Sequence, residues 1–350
     1  MRGAGVARGG RVTAGAGAAL LVVLLVLLVP AGATPTTDNH ALDACAARTS
    51  ADDDRDACAG AASCYMAALP TQTATPQQPT PSSPDTDRNA AAAAAAATAE
   101  QQEQENAATW RSGPPGFDGE LAACNIARVD AGQITRAQFL SIYHEKTPVI
   151  LTNLETNTRF RELTERQALV ESHGDRTVTL SSANTYSYDK RKISFKTYVD
   201  TMLGEQSRTM LGNETFYMFG DHDWADWQDL FQFYVEPPFT PDGMLSALSF
   251  GVAGPLSGVP MHHHGCGFSE SIHGRKRWFL YPPHTVPNFH PDQTTLRWVL
   301  DVYPQLKASG DPDLYECVVH PNEAIYFPSN WWHATFNLDE CVFMSTFLAF

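Results

Sequence analysis

The pattern of apolar and polar positions divides the chain near residue 116. Upstream, beyond one N-terminal apolar run, no stretch keeps a helical or alternating repeat. Downstream, short apolar segments recur between Gly, Pro and Asn turns. Phe139, Leu140 and Tyr143 stand at helical spacing and predict a helix over 134–145, stopped by Lys146-Thr147-Pro148. Thr164-Glu165-Arg166-Gln167 has capping-box spacing and predicts a helix running to about Gly174. Ser194 is a candidate cap for a helix over 195–203, and the Trp-rich stretch 224–234 reads as helix and core. Strands are expected at 149–151, 177–180 and 215–219. They then recur at 248–254, at the histidine segment, and at 276–281, 315–319, 324–327, 333–337 and 341–347. Helices followed by many short strands predict an α+β protein, mainly β, built as a decorated barrel or sandwich.

The remainder of the chain changes this picture at its N-terminus. Arg2, Arg8 and Arg11 precede an apolar run from Ala18 to Val29 and the small residues 30–33. This order describes a secretory signal peptide over residues 1–33, or an uncleaved signal anchor; either places the remainder in the secretory lumen. Residues 34–115 hold Cys45, Cys58 and Cys64, then a Thr/Gln/Pro/Ser-rich and polyalanine tract that reads as a disordered spacer. The folded domain is expected over 116–350. Cys266 and Cys341 read as small buried thiols, and Cys124 with Cys317, flanking the first and a late strand of the domain, is the candidate disulfide. Asn213-Glu214-Thr215 is a glycosylation sequon, relevant to a luminal chain. A net charge of −15 with no basic cluster beyond Arg275-Lys276-Arg277 argues against a nucleic-acid partner. A membrane association is expected only if the N-terminal segment is uncleaved.

The chemistry concentrates in Met261-His262-His263-His264-Gly265. In an extended chain alternate side chains share a face, so His262 and His264 project together and His263 points away. A second segment, His320 to His333, reads as turn, apolar strand, turn and strand, with Asn322 and Asn330 at positions where tight turns favour Gly. Such a hairpin brings His333 opposite His262 and His264, as adjacent barrel strands do in rigid metal sites. Taken singly, each histidine has a plainer reading as a core or loop residue; the combination points to metal.

Together, Gly258 to His264, Gly274-Arg275-Lys276-Arg277-Trp278-Phe279-Leu280-Tyr281-Pro282-Pro283, and Glu323 to Pro328 with Trp331-Trp332-His333 resemble the jumonji C (JmjC) family of 2-oxoglutarate oxygenases in the cupin superfamily. The resemblance covers about two-thirds of the chain and is strongest to a member placed in the endoplasmic reticulum lumen. It implies a double-stranded β-helix, Fe(II) and 2-oxoglutarate as cofactors, and a protein or peptide substrate or partner in the secretory lumen. By position, His262 is the first metal ligand, His333 the distal one, and Lys276 the partner of the 2-oxoglutarate carboxylate, with Tyr217 a second co-substrate contact. Alternation along 275–277 then turns Lys276 inward and both arginines outward.

One departure bears on activity. The family's carboxylate ligand position holds His264, and Val259 stands where some relatives carry a hydroxyl. Three neutral imidazoles leave a divalent ion at +2 rather than +1 and suit Zn at least as well as Fe(II). Glu270 could restore the missing charge as a fourth ligand, in the manner of other cupins, with Zn or Mn as the ion; otherwise it is a solvated loop residue. Three functions follow: a luminal hydroxylase, an inactive barrel acting as an adaptor, and a non-oxygenase metal cupin using Glu270. A homo-oligomer is compatible with each.

Overall fold

The computed structural model describes residues 108–117, 124–204, 206–220 and 224–349. The expected signal segment, and all of the spacer before residue 108, lie outside the described residues. Among those described, no helix is long and apolar enough to cross a membrane.

Two sheets enclose the core. The larger has nine strands: β1 (Ala127–Asp130), β2 (Val149–Thr152), β3 (Thr177–Ser182), β4 (Lys190–Ser194), β5 (Phe216–Phe219), β6 (Leu245–Ala253), β7 (Gly267–His273), β10 (Glu323–Phe327) and β12 (Cys341–Ala349). Their order across the sheet is β1-β2-β10-β7-β12-β6-β5-β3-β4, antiparallel except for the β1–β2 pair. The smaller sheet places β8 (Lys276–Tyr281) between β11 (Trp332–Asn337) and β9 (Tyr315–Val319). The arrangement agrees with the expected double-stranded β-helix.

Alternation along β8 shows how the layers fill. Trp278 and Leu280 point between the sheets, where they pack with Ile150, Ile325, Phe327 and Trp331. Phe279 and Tyr281 point the other way, into a second cluster with Trp298, Val299 and Tyr303. Those three come from α6 (Thr295–Asp301) and α7 (Tyr303–Ser309), which cover the smaller sheet. The outer face of the larger sheet is covered by α2 (Thr158–Leu163), α3 (Arg166–His173), α4 (Phe195–Thr201) and α5 (Trp224–Phe231), which bury Phe160, Leu169, Phe195 and Trp227 against Phe250, Val342 and Met344. The short α1 (Arg136–Ile142) packs Phe139 against Phe268 and Tyr326 farther along the same face.

Several local expectations change. The Thr164–Gln167 capping box does not form: Thr164 instead ends α2, its hydroxyl donating to Phe160 O at 2.8 Å, and α3 starts from Glu165. The real capping box is Thr135/Gln138 at the start of α1. Ser194 caps α4 as expected, accepting the Thr197 N–H at 3.2 Å. Residues 108–117, expected largely within the spacer, dock on the domain. Arg111 pairs with the buried Glu340 through backbone and guanidinium, and the Gly113 N–H donates to Asp339 at 3.1 Å. Cys124 and Cys317 form the expected disulfide, joining the start of the domain to β9 across 193 residues. Cys266 and Cys341 are free and buried. Asn213 is exposed on a turn, while the Thr215 hydroxyl is buried and donates to Gln206 at 2.6 Å.

Candidate metal centre

The histidine segment belongs to no sheet. His262 instead forms an isolated antiparallel bridge with His333: the His262 N–H donates to His333 O at 3.0 Å, and the His333 N–H to His262 O at 2.8 Å. Two residues on, the Asn330 N–H donates to His264 O at 2.8 Å. Asn322 and Asn330 bracket β10 in the left-handed region, at φ 69° and 62°, the turn geometry expected of them. Upstream, Gly258 passes so close to β11 that a Cβ there would lie 1.8 Å from Thr335 O. The loop carrying the two histidines is thus stitched to the strand carrying the third.

All three imidazoles meet. One ring nitrogen from each lies within 4.8 Å of the others. The Nδ1 of His262 is 2.8 Å from Pro260 O, that of His264 2.8 Å from Gly265 O, and that of His333 2.9 Å from Trp331 O. Each carbonyl accepts from its Nδ1–H, which fixes the tautomer and leaves the Nε2 lone pair free. His264 Nε2 and His333 Nε2 then face each other at 3.1 Å with no hydrogen between them. Two converging lone pairs repel unless a cation lies between them. Backbone carbonyls on the remote ring nitrogens are also how ligating histidines are oriented.

Burial and the neighbouring imidazoles hold the His262 pKa down at about 3. The same causes, burial first, push His333 well below its ordinary value and lower His264. All three are therefore neutral near pH 7, the form that binds metal. Aromatic rings enclose them: Phe327 stacks on His333 at 5.0 Å, and Phe347 meets His264 edge-on at 5.0 Å. His263 points away, as alternation predicts, and packs against Trp332 at 4.5 Å.

The trio opens into a narrow cavity between the sheets. Lys276 lines it, 4% exposed, with Nζ 3.1 Å from the centroid of the Phe343 ring. Burial lowers its pKa to about 7, and among the described residues no hydrogen bond or ion pair reaches the amine. The inward orientation expected of Lys276 holds. Its neighbours point out of the barrel: Arg277, 2% exposed, bonds Tyr303 and Glu316 beneath α7, while the half-buried Arg275 pairs with Asp339 at 2.8 Å.

Two candidate residues are placed elsewhere. Glu270 is neither a fourth ligand nor a solvated loop residue. It lies inside β7, where Ser269 faces the cavity, so alternation turns Glu270 to the opposite face. There it is 1% exposed, accepting from Asn157 Nδ2 at 2.8 Å and Tyr234 OH at 3.0 Å. Burial raises its pKa to about 7. A metal role for Glu270 is excluded by this geometry. Tyr217 faces inward from β5 but stands behind Phe343, beside Cys341 and Ala253, and does not line the cavity. Sequence reading missed Phe219, Ser269, Thr335, Phe343, Ser345 and Phe347, which do line it. Alternation from His333 would have indicated Thr335; the others had no chemical signature of their own.

A double-stranded barrel with three convergent neutral imidazoles and a buried lysine defines a metal-binding protein of the cupin class, and a cupin-like domain matches residues 253–347. The chain is 51% identical to human JmjC domain-containing protein 8 over 239 residues, 68% of this chain and 89% of that one. It is 51% identical to the mouse protein of the same name, over 65% of this chain and 84% of the relative. The bifunctional arginine demethylase and lysyl-hydroxylase psr-1 of Caenorhabditis elegans is 26% identical, over 61% of this chain and 58% of its own length. The chain belongs to the JmjC family.

Proposed function

We propose that this protein is a 2-oxoglutarate-dependent oxygenase of the secretory lumen, acting on a protein or peptide side chain through an all-imidazole metal centre. The observation that carries the proposal is the pairing, in one cavity, of three convergent Nε2 lone pairs with a buried lysine that has no counter-ion among the described residues. A structural lysine in that position would be a cost without a return. Lys276 and His333 also lie at a useful separation. On the β8–β11 ladder Lys276 pairs with Asn337 and Leu280 with His333, four residues or about 13 Å of strand apart. An anion that reaches both the metal and the ammonium must be elongated, as a dicarboxylate is.

His262, His264 and His333 would hold the ion, and Lys276 the far carboxylate of the co-substrate. Fe(II) with 2-oxoglutarate supplies, when bound, the oxidising chemistry that gives this family its activity. The chain's own part is to keep the imidazoles neutral by burial, to exclude water with Phe219, Phe327, Phe343 and Phe347, and to offer a cation that becomes fully protonated only beside an anion. The C. elegans relative, described as acting on arginine and lysine, supports a side-chain substrate. The basic-then-apolar N-terminus and the Cys124–Cys317 disulfide support a luminal location.

The test is 2-oxoglutarate decarboxylation by the full chain loaded with Fe(II), with and without candidate peptides. Turnover lost in Lys276→Met is the expected result. No 2-oxoglutarate binding at saturating Fe(II) would overturn the proposal. One observation favours a second reading, a metal-stabilised adaptor without turnover: among the described residues no carboxylate joins the three imidazoles. His264→Asp separates the two readings. If the native protein is an inactive relative, the aspartate variant gains Fe(II)-dependent decarboxylation that the wild type lacks; if it is an oxygenase adapted to imidazole, the wild type is already active.

A further inference from the structure

Behind the histidine centre, on the outer face of the larger sheet, lies a second group of ligand-type side chains. His144 and Glu145 stand on the loop after α1, and Cys266 follows His264 by two residues. One ligand atom from each lies within 4.8 Å of the others. The geometry points to a second metal site here, for a borderline ion of the Zn²⁺ type, separate from the histidine centre and bracing the loop that carries it.

The donor set is mixed: a thiol, an imidazole and a carboxylate, each a ligand type found in four-coordinate zinc sites. With the thiol proton released to water on binding, thiolate and carboxylate together neutralise a divalent ion. Among the described residues the histidine centre has no anionic donor, so the two sites differ in charge and in the ion they favour. Each donor is held by a neighbour that leaves it further capacity. The Tyr326 hydroxyl lies 2.9 Å from His144 Nδ1 and accepts the Glu145 N–H at 3.1 Å. Ser329 grips both oxygens of Glu145, its N–H at 3.0 Å and its hydroxyl at 2.7 Å, while its Oγ accepts the Cys266 N–H at 3.1 Å. An ionised carboxylate has about four acceptor positions, so these two bonds do not exhaust it. Such outer partners orient ligands in metal sites generally.

Access is also suitable. Tyr326 and Cys266 form a buried floor, at 0% and 1% exposure, whereas Glu145 is exposed and His144 half-buried, so an ion can enter from solvent. The bracing follows from connectivity. Ser329 adjoins Asn330, whose N–H holds His264 O, and the sulfur ligand sits two residues from His264. An ion at this site would clamp the α1–β2 loop onto the segment that carries His264, beside the Glu145–Ser329 contact.

The experiment measures Zn²⁺ stoichiometry and the Co²⁺ absorption spectrum of the full, reduced chain. A thiolate-to-cobalt charge-transfer band in the near ultraviolet requires sulfur ligation, which three histidines cannot supply. The His262→Ala/His333→Ala double variant is expected to retain one equivalent of Zn²⁺ and the thiolate band. Cys266→Ser should abolish that band, and His144→Ala, at a half-buried position where folding is less at stake, should weaken the same ion at least about tenfold. Absence of the band in wild type and double variant, its persistence in Cys266→Ser through another thiol, or an unchanged affinity in His144→Ala would each overturn the site.

Discussion

The histidine centre and the Glu270 cluster are both buried, both polar, and set on opposite sides of the same large sheet, yet they are satisfied in opposite ways. Around Glu270, Asn157 and Tyr234 donate to one carboxylate oxygen, and Asn157 in turn bonds the backbone of Val235 on both its amide atoms. That network ties the loop before α2 to the end of α5 through Oε2, while Oε1 is buried without a hydrogen-bond partner. In the histidine centre each imidazole uses one nitrogen on its own local backbone, then aims the other at two more lone pairs. Glu270 thus finds donors in the fold for one of its oxygens, whereas the three imidazoles turn their remaining nitrogens on one another with no donor among them. The two clusters also respond oppositely to protons. His262, held down at about 3, and its two neighbours stay neutral where an unfolded chain would protonate them, so their contribution is lost as pH falls. Glu270 is raised from 4.5 to about 7, so the native state holds a proton that the unfolded state releases, and its contribution is lost as pH rises through 7.

The largest expected effect separates the clusters by ligand. His262→Ala/His333→Ala removes two of three donors, and the ion at the histidine centre should be lost altogether at micromolar metal. Glu270→Gln should leave that affinity unchanged within twofold. Metal content after dialysis checks both, and loss of the histidine-centre ion in Glu270→Gln would mean that the two faces are coupled and the comparison fails.

The next effect separates them by pH. Each pKa unit is worth 1.36 kcal/mol, so the shift of Glu270 corresponds to about 3 kcal/mol of stability present at pH 4.5 and gone above pH 7. Glu270→Gln keeps the shape and cannot ionise. Denaturant unfolding of metal-free protein at pH 5, 6, 7 and 8 should show the variant gaining on wild type as pH rises. A difference between the two that is flat across this range would show that Glu270 is ionised throughout in the native state.

How much of this was legible in the sequence follows the same division. The histidines, Lys276 and the Asn turns were readable because their chemistry is rare and the period of two assigns each to a face. The Cys124–Cys317 pair was readable as well. Glu270 was misassigned because β7, Gly-Phe-Ser-Glu-Ser-Ile-His, looks like a polar loop. The strand is nevertheless buried along almost its whole length, since serines fill the barrel side and Glu270 draws its donors from residues 36 and 113 positions away. No local pattern records partners at that distance. The helices α6 and α7 went unseen for a related reason: their period is apolar, but their role is to cover Arg277, whose burial only the folded sheet reveals.

The smallest effect in free energy tests the rule drawn from the comparison on a third buried group. Lys276 belongs to the cavity side, and among the described residues its amine meets an aromatic face but no carboxylate. If its charge serves a ligand and not the fold, an apolar residue of similar length should be better for stability. Lys276→Met is expected to raise the stability of ligand-free protein by about 1–3 kcal/mol near pH 7, the range seen when buried charges give way to well-packed apolar groups. The gain should shrink at higher pH. With its native pKa lowered to about 7, the lysine binds a proton in the unfolded chain that the native state lacks between about 7 and 10.5, so wild-type stability recovers as pH rises through that window. The same substitution should weaken 2-oxoglutarate binding at least about tenfold, since one charge-assisted contact is lost. Calorimetric titration and denaturant unfolding on one preparation check both signs together. A variant that is less stable and binds 2-oxoglutarate normally would make Lys276 a structural residue, and the rule would then rest on the converging histidines.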